Sequence, residues 1–191
     1  MISLKILKSQ ERYSLTSDNS APNHKPRVIL VGAMGAGKTT IGRIISEKLS
    51  WPYVDNDYEM AKRTSLTLEE LGALDVPTLH NFEAMYLKDV LSRTGPLVAG
   101  AAASVADNDE LVEALKKECT IYLHTPLAIQ QKRAGGTGVG RQGLVENAID
   151  VIRERYERRD PRYRKVASLV VDTTGAPEND AAKILDFLKT R

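Results

Sequence analysis

A chain of 191 residues, 42% hydrophobic and 27% charged, has the size and composition of one ordinary soluble domain with a real core. It contains no apolar run near the roughly 20 residues of a membrane helix, and its net charge of +2 argues against general nucleic-acid binding. Its one cysteine, Cys119, cannot close an internal disulfide. The expectation is a cytoplasmic monomer with no membrane or nucleic-acid partner, in which Cys119 is a small buried hydrophobe.

Residues 1–25 read as a disordered leader, because Ser14 to Pro26 is rich in Ser, Asn and Pro and poor in large apolar side chains. The domain is expected over 26–191. From Arg27 the chain alternates short apolar runs with amphipathic patterns. Val28–Val31 predicts a buried strand, and Ile41, Ile44, Ile45 and Leu49 mark one face of a helix. Tyr53-Val54, Leu97–Ala99, Ile121–Leu123 and Ser168–Asp172 predict four more strands. Helices are expected over 58–63, 67–73, 77–93 and 108–118. A further helix carries Val145, Ala148, Ile149, Ile152 and Tyr156 on one side, and a last one carries Ala181, Ile184, Leu185 and Leu188. Continuous apolar strands alternating with amphipathic helices predict an α/β fold of three layers, a five-stranded parallel sheet flanked by helices.

Gly32-Ala33-Met34-Gly35-Ala36-Gly37-Lys38-Thr39 has the spacing of a Walker A loop, and it falls between the first strand and the first helix. Glycines let such a loop turn its backbone N–H groups onto phosphates, and the helix N-terminus adds its dipole. Lys38 would reach the β- and γ-phosphates of ATP, and the Thr39 hydroxyl would ligate Mg²⁺. Gly35, Ala36, Gly37 and Thr40 complete the nucleotide-binding set. The competing reading is a Gly-rich turn without a ligand.

Asp55-Asn56-Asp57 ends the second strand, where a parallel sheet opens onto its ligand crevice. Residues two apart on a strand share a side, so Asp55 and Asp57 are expected to face one cavity and Asn56 to point elsewhere. One carboxylate could serve the metal while the other accepts a proton from an attacking hydroxyl. Helix-capping acids are the bland alternative. A basic excess, ten Lys/Arg against five Asp/Glu over 132–165, suits a polyanionic ligand, although a solvated helix face would look the same.

Together these segments resemble the shikimate kinases, over nearly everything from Arg27 onward. The loop through Thr40-Ile41-Gly42-Arg43, the Asp-x-Asp pair and Thr64-Ser65-Leu66-Thr67-Leu68-Glu69-Glu70-Leu71 carry the likeness, with Ser65 where that family usually has glycine. Arg159-Asp160-Pro161-Arg162-Tyr163 matches the family's Arg-x-Pro-x-Tyr. The resemblance implies a nucleoside-monophosphate-kinase-like P-loop fold and phosphoryl transfer from ATP, with Mg²⁺, to a hydroxyl of a small cyclic acid or polyol, shikimate first. It implies Thr39 and Asp55 for the metal, Asp57 as base, Arg141 as the arginine of a lid near 132–144, Arg133 near adenine, and Arg159 on the substrate carboxylate. An arginine suits that last task because its planar fork matches a carboxylate. A surface ion pair is the alternative for Arg159.

Three departures bear on the acceptor. The family's Phe-Arg-x-x-Glu reads Leu79-His80-Asn81-Phe82-Glu83, replacing an arginine by His80. Its Thr-Gly-Gly-Gly reads Gly100-Ala101-Ala102-Ala103, which should make that loop more helical, and its Arg-Pro-Leu-Leu reads Arg141-Gln142-Gly143-Leu144. His80, Ala101 and Ala102 are therefore candidate acceptor contacts alongside Asp57 and Arg159. Rival readings are a kinase for another acceptor, such as a gluconate-like sugar acid, and a nucleotide-binding relative without catalysis.

Overall fold

A computed structural model describes residues 26–133 and 148–191, the side chains of Arg133 and Ala148 excepted. Five strands form one parallel sheet in the order β2-β3-β1-β4-β5. They are β1 (Arg27–Val31), β2 (Tyr53–Asp55), β3 (Leu97–Gly100), β4 (Cys119–His124) and β5 (Leu169–Asp172). The helices are α1 (Lys38–Leu49), α2 (Asn56–Thr64), α3 (Leu68–Gly72), α4 (Val76–Ser92), α5 (Asp109–Leu115), α6 (Leu127–Arg133), α7 (Ala148–Val166) and α8 (Pro177–Lys189), with a 3₁₀ turn over Ala103–Asp107.

Strand β1 is central, paired with β3 on one side and β4 on the other. Its side chains alternate between two cores, as a strand's period of two requires. Ile29 and Val31 pack with Phe82 and Tyr86 of α4, while Val28 and Leu30 pack with Ile41 and Ile45 of α1 and Ile184 of α8. Burial on both faces explains why the run reads as continuously apolar. The hydroxyl of Tyr86 lies 3.0 Å from Val54 O and 3.1 Å from Gly100 O, tying the C-terminal ends of β2 and β3 together.

Three expectations need correction. The strand at 53–55 stops at Asp55, whose carboxylate accepts from Asp57 N and caps a helix that already contains Asn56 and Asp57. Helix α6 was not anticipated; its short run Leu127–Arg133 shows too little periodicity to separate it from a loop. Ile149 does not share the buried side of α7, being 57% exposed, whereas Ile152 is buried. Cys119 is a free, half-buried thiol, its pKa raised by burial. Residues 1–25 and 134–147, the latter holding most of the lid expected near 132–144, lie outside the described residues.

Candidate active site

The C-terminal ends of β1, β2 and β3 open onto a cavity of about 490 Å³, within the size range of small-molecule sites. At one end is the loop between β1 and α1. Gly32, Gly35 and Gly37 have φ of 146°, 76° and 90°, in the left-handed region that favours glycine. A Cβ at Gly32 would stand 2.5 Å from Leu123 O, so that residue is also required by the close passage of β4. Lys38 Nζ donates to Gly32 O and Ala33 O, 2.9 Å each, and so rests across the loop. Burial lowers the Lys38 pKa to about 8, against the pull of Asp57, Asp55 and Glu83.

Gly35, Gly37, Lys38, Thr39 and Thr40 all line the cavity. Ala36 does not: its methyl is fully buried in the core beneath the loop, and its N–H donates to Ala33 O. The part expected of Ala36 in nucleotide binding is one of the loop's backbone, and its Cβ is turned into the core.

Asp55 and Asp57 do face one cavity, though through a capped helix start rather than an extended strand. Thr39 Oγ1 donates to Asp55 Oδ2 at 2.8 Å, and the Tyr53 hydroxyl donates to the same oxygen at 3.2 Å. Asn56, expected to point away, is buried, lines the cavity and donates to Asp57 Oδ1 at 2.9 Å. Burial raises the Asp57 pKa, the bond from Asn56 opposing it and the Asp55 charge assisting. The residues fit ATP with Mg²⁺. The glycine loop leaves room for backbone to approach phosphates, and Thr39 with Asp55 offers the one or two hard oxygen donors that Mg²⁺ takes from a protein. Among the described residues there is no group of three or more His, Cys, Asp or Glu that could hold a metal.

The far end is built by α4, α7 and the segment after β3. His80, Glu83, Ala101, Ala102 and Arg159 all line it. Arg159 is 9% exposed, so it is no surface ion pair; its Nε and Nη2 donate to Asp107 Oδ2 at 2.9 and 2.6 Å. Arg158 is more exposed and pairs with Asp107 Oδ1 and Glu154. Burial and the Arg159 charge lower the His80 pKa, leaving a neutral imidazole at neutral pH. Burial pushes Glu83 up to about 7, although the Ser104 hydroxyl donates to its carboxylate.

The three alanines are accommodated without strain. Ala101 N donates to Leu30 O, and Ala102 has ordinary extended dihedrals (φ −62°, ψ 154°). The methyls of Ala101 and Ala102 are buried in the core, and helical turn begins only at Ala103. The Tyr163 hydroxyl donates to Ala103 O at 2.6 Å, so the tyrosine of Arg159–Tyr163 fastens this segment to α7.

Arg141, and the side chain of Arg133 at the end of α6, lie outside the described residues. Tyr53, Asn56, Ser104, Arg155 and Tyr163 line the site without having been singled out for it. Two had a legible signal. Tyr53 stands two before Asp55 on a strand, and Arg155 stands one helical turn before Arg159.

The sequence model of shikimate kinase matches residues 34–189. The chain belongs to the shikimate kinase family. A shikimate kinase of Acinetobacter baumannii (strain AYE) is 34% identical over 170 residues, covering 85% of this chain and 92% of that protein. One of Acinetobacter baylyi is 32% identical over 165 residues, covering 84% and 90%. The structure of shikimate kinase from A. baumannii in complex with shikimate superposes with a TM-score of 0.76 at 32% identity, covering 86% of this chain and 93% of that one. A gluconokinase from Sinorhizobium meliloti shares the fold, with a TM-score of 0.51 at 14% identity. As a member of the shikimate kinase family the chain is a P-loop phosphotransferase that uses ATP and Mg²⁺ and has an alcohol group as acceptor.

Proposed function

We propose that this protein transfers the γ-phosphoryl group of ATP to a ring hydroxyl of shikimate, giving shikimate 3-phosphate. The observation that carries the reading is one cavity with a glycine loop and Lys38 at one end, a buried arginine, Arg159, at the other, and Asp57 among its lining residues. A small hydroxylated acid needs those three: phosphate binding, a carboxylate partner and a proton acceptor.

In this reading Lys38, the backbone of Gly35–Gly37 and Thr40 hold the phosphates, with Arg133 beside the adenine. Thr39 and Asp55 hold Mg²⁺, which neutralises phosphate charge when bound. Asp57 orients the acceptor hydroxyl and takes its proton; its raised pKa brings it nearer to that of an effective base. Arg159 takes the carboxylate, while His80, Ala101 and Ala102 shape the pocket. Arg141, which lies outside the described residues, is assigned to the charge on the transferring group. Catalysis is then mainly positioning and charge stabilisation. The protein acts as a cytoplasmic monomer on a small molecule, needing neither membrane nor nucleic acid, with 26–191 as its kinase domain. No helix among the described residues is long and apolar enough to cross a membrane.

Shikimate-dependent ADP formation with ATP and Mg²⁺, abolished by Lys38→Ala, is the expected result. No turnover with nucleotide binding intact would refute shikimate as acceptor. A panel of sugar acids would then be tried, and a second blank would identify a nucleotide-binding relative without catalysis.

A further inference from the structure

Helix α7 turns a stripe of residues to the cavity, Ile152, Arg155, Tyr156, Arg159, Asp160 and Tyr163. Two of these are arginines one turn apart, and their situations differ. Arg159 is held by two bonds to Asp107 Oδ2. Arg155 is half-buried in the same cavity, and among the described residues its guanidinium makes no hydrogen bond and no ion pair. The local cluster has three guanidiniums, Arg155, Arg158 and Arg159, against two carboxylates, Asp107 and Glu154. Arg158 and Arg159 take up both of these carboxylates, and Arg155 pairs with neither.

Burial and the neighbouring Arg159 charge disfavour the Arg155 cation, a cost that a bound anion would remove. Arg155 stands one turn before Arg159 on the face of α7 that lines the cavity. Arg155 therefore belongs to the acceptor end rather than to the phosphate loop. At that end His80 stands where the family has an arginine, and a neutral imidazole cannot replace a forked cation.

We infer that Arg155 is a substrate-binding residue that holds the acceptor carboxylate together with Arg159, supplying from α7 the second guanidinium that α4 lacks at His80. This deepens the acceptor reading above and rests on it.

The test compares shikimate with its methyl ester, which has no carboxylate charge, in the full chain and in Arg155→Leu. Calorimetry should show the dissociation constant for shikimate rising about 10- to 100-fold in Arg155→Leu. The KM for ATP should move less than about 3-fold, and the methyl ester, already weak, should be insensitive. Arg155→Lys should fall between, because a lysine keeps the charge without the fork. Adding His80→Arg to Arg155→Leu should recover a large part of the loss. Arg155→Lys also supplies the comparison if Arg155→Leu fails to bind ATP, a sign of misfolding. Shikimate affinity unchanged within about 2-fold in both variants would overturn the inference while leaving the acceptor reading intact, as would an equal loss on the ester. No binding of shikimate by the unaltered protein would overturn both.

Discussion

Asp57 shows how a side chain becomes a base candidate through its surroundings. Burial raises its pKa, and the Asn56 amide fixes one carboxylate oxygen. Asn is nearly the same shape but accepts no proton. Asp57→Asn should therefore lower kcat by about 10²–10⁴-fold while ATP affinity changes little, as steady-state kinetics with separate nucleotide titration would show. Lys38 sets a different limit. Its cation is the form that neutralises phosphate, and in the free protein its pKa is lowered to about 8. The ratio kcat/KM for ATP should fall as pH rises through that value. The kcat profile should break at higher pH, since bound phosphate raises the lysine pKa. Coincident profiles would contradict this.

Where Tyr53 of β2 packs between α1 and β3 the fit depends on two glycines. The Tyr53 ring lies so close to α1 that a Cβ at Gly42 would stand 2.3 Å from Tyr53 Cε2, and one at Gly100 would stand 2.6 Å from the Tyr53 hydroxyl. That hydroxyl bonds Asp55, so space at two glycines positions an acid assigned to the metal. Gly42→Ala should destabilise by about 1–3 kcal/mol in chemical denaturation and weaken the Mg²⁺ dependence of activity. The end of α1 offers the opposite change. Ser50, exposed, closes the helix at φ 56°, where a side chain is strained. Ser50→Gly should raise stability by about 0.5–1 kcal/mol despite the entropy of glycine. Ser65 has the same φ of 56° at the end of α2, which explains in backbone terms why the family prefers glycine there.

At the scale of the molecule, a parallel sheet buried on both faces gathers its strand ends into one cavity, and groups far apart in sequence acquire shared electrostatics. Glu83 of α4, close to Ser104, Asp57, Arg159 and Lys38, is raised to about 7 from an ordinary 4.5. A carboxyl with a raised folded pKa contributes stability that is complete below its unfolded value and is lost as pH rises through the folded one. The window is therefore from about 4.5 to 7. Unfolding free energy should fall across it by on the order of 1–3 kcal/mol. Glu83→Gln, which keeps an acceptor for Ser104, should flatten that fall in denaturant titrations from about pH 5 to pH 8.

The sequence by itself determined the sheet, the order along the chain of the strands and of the helices other than α6, and the glycine loop of the site. Those features are local: an apolar run, a period of 3.6, and a glycine spacing that needs only its own backbone. It could also place Asp55, Asp57, His80 and Arg159, because a family pattern attaches to short blocks. Only the tertiary structure decided that Ala36 turns into the core, that Asn56 turns into the cavity, and that Ala101 and Ala102 fit without strained dihedrals. It also decided that Arg159 is buried against Asp107, fifty-two residues away, while Arg155 one turn before it has no partner among the described residues. Ion pairing and burial depend on which distant segments meet. Nothing in the spacing of α7 distinguishes two arginines one turn apart until Asp107 is packed against one of them.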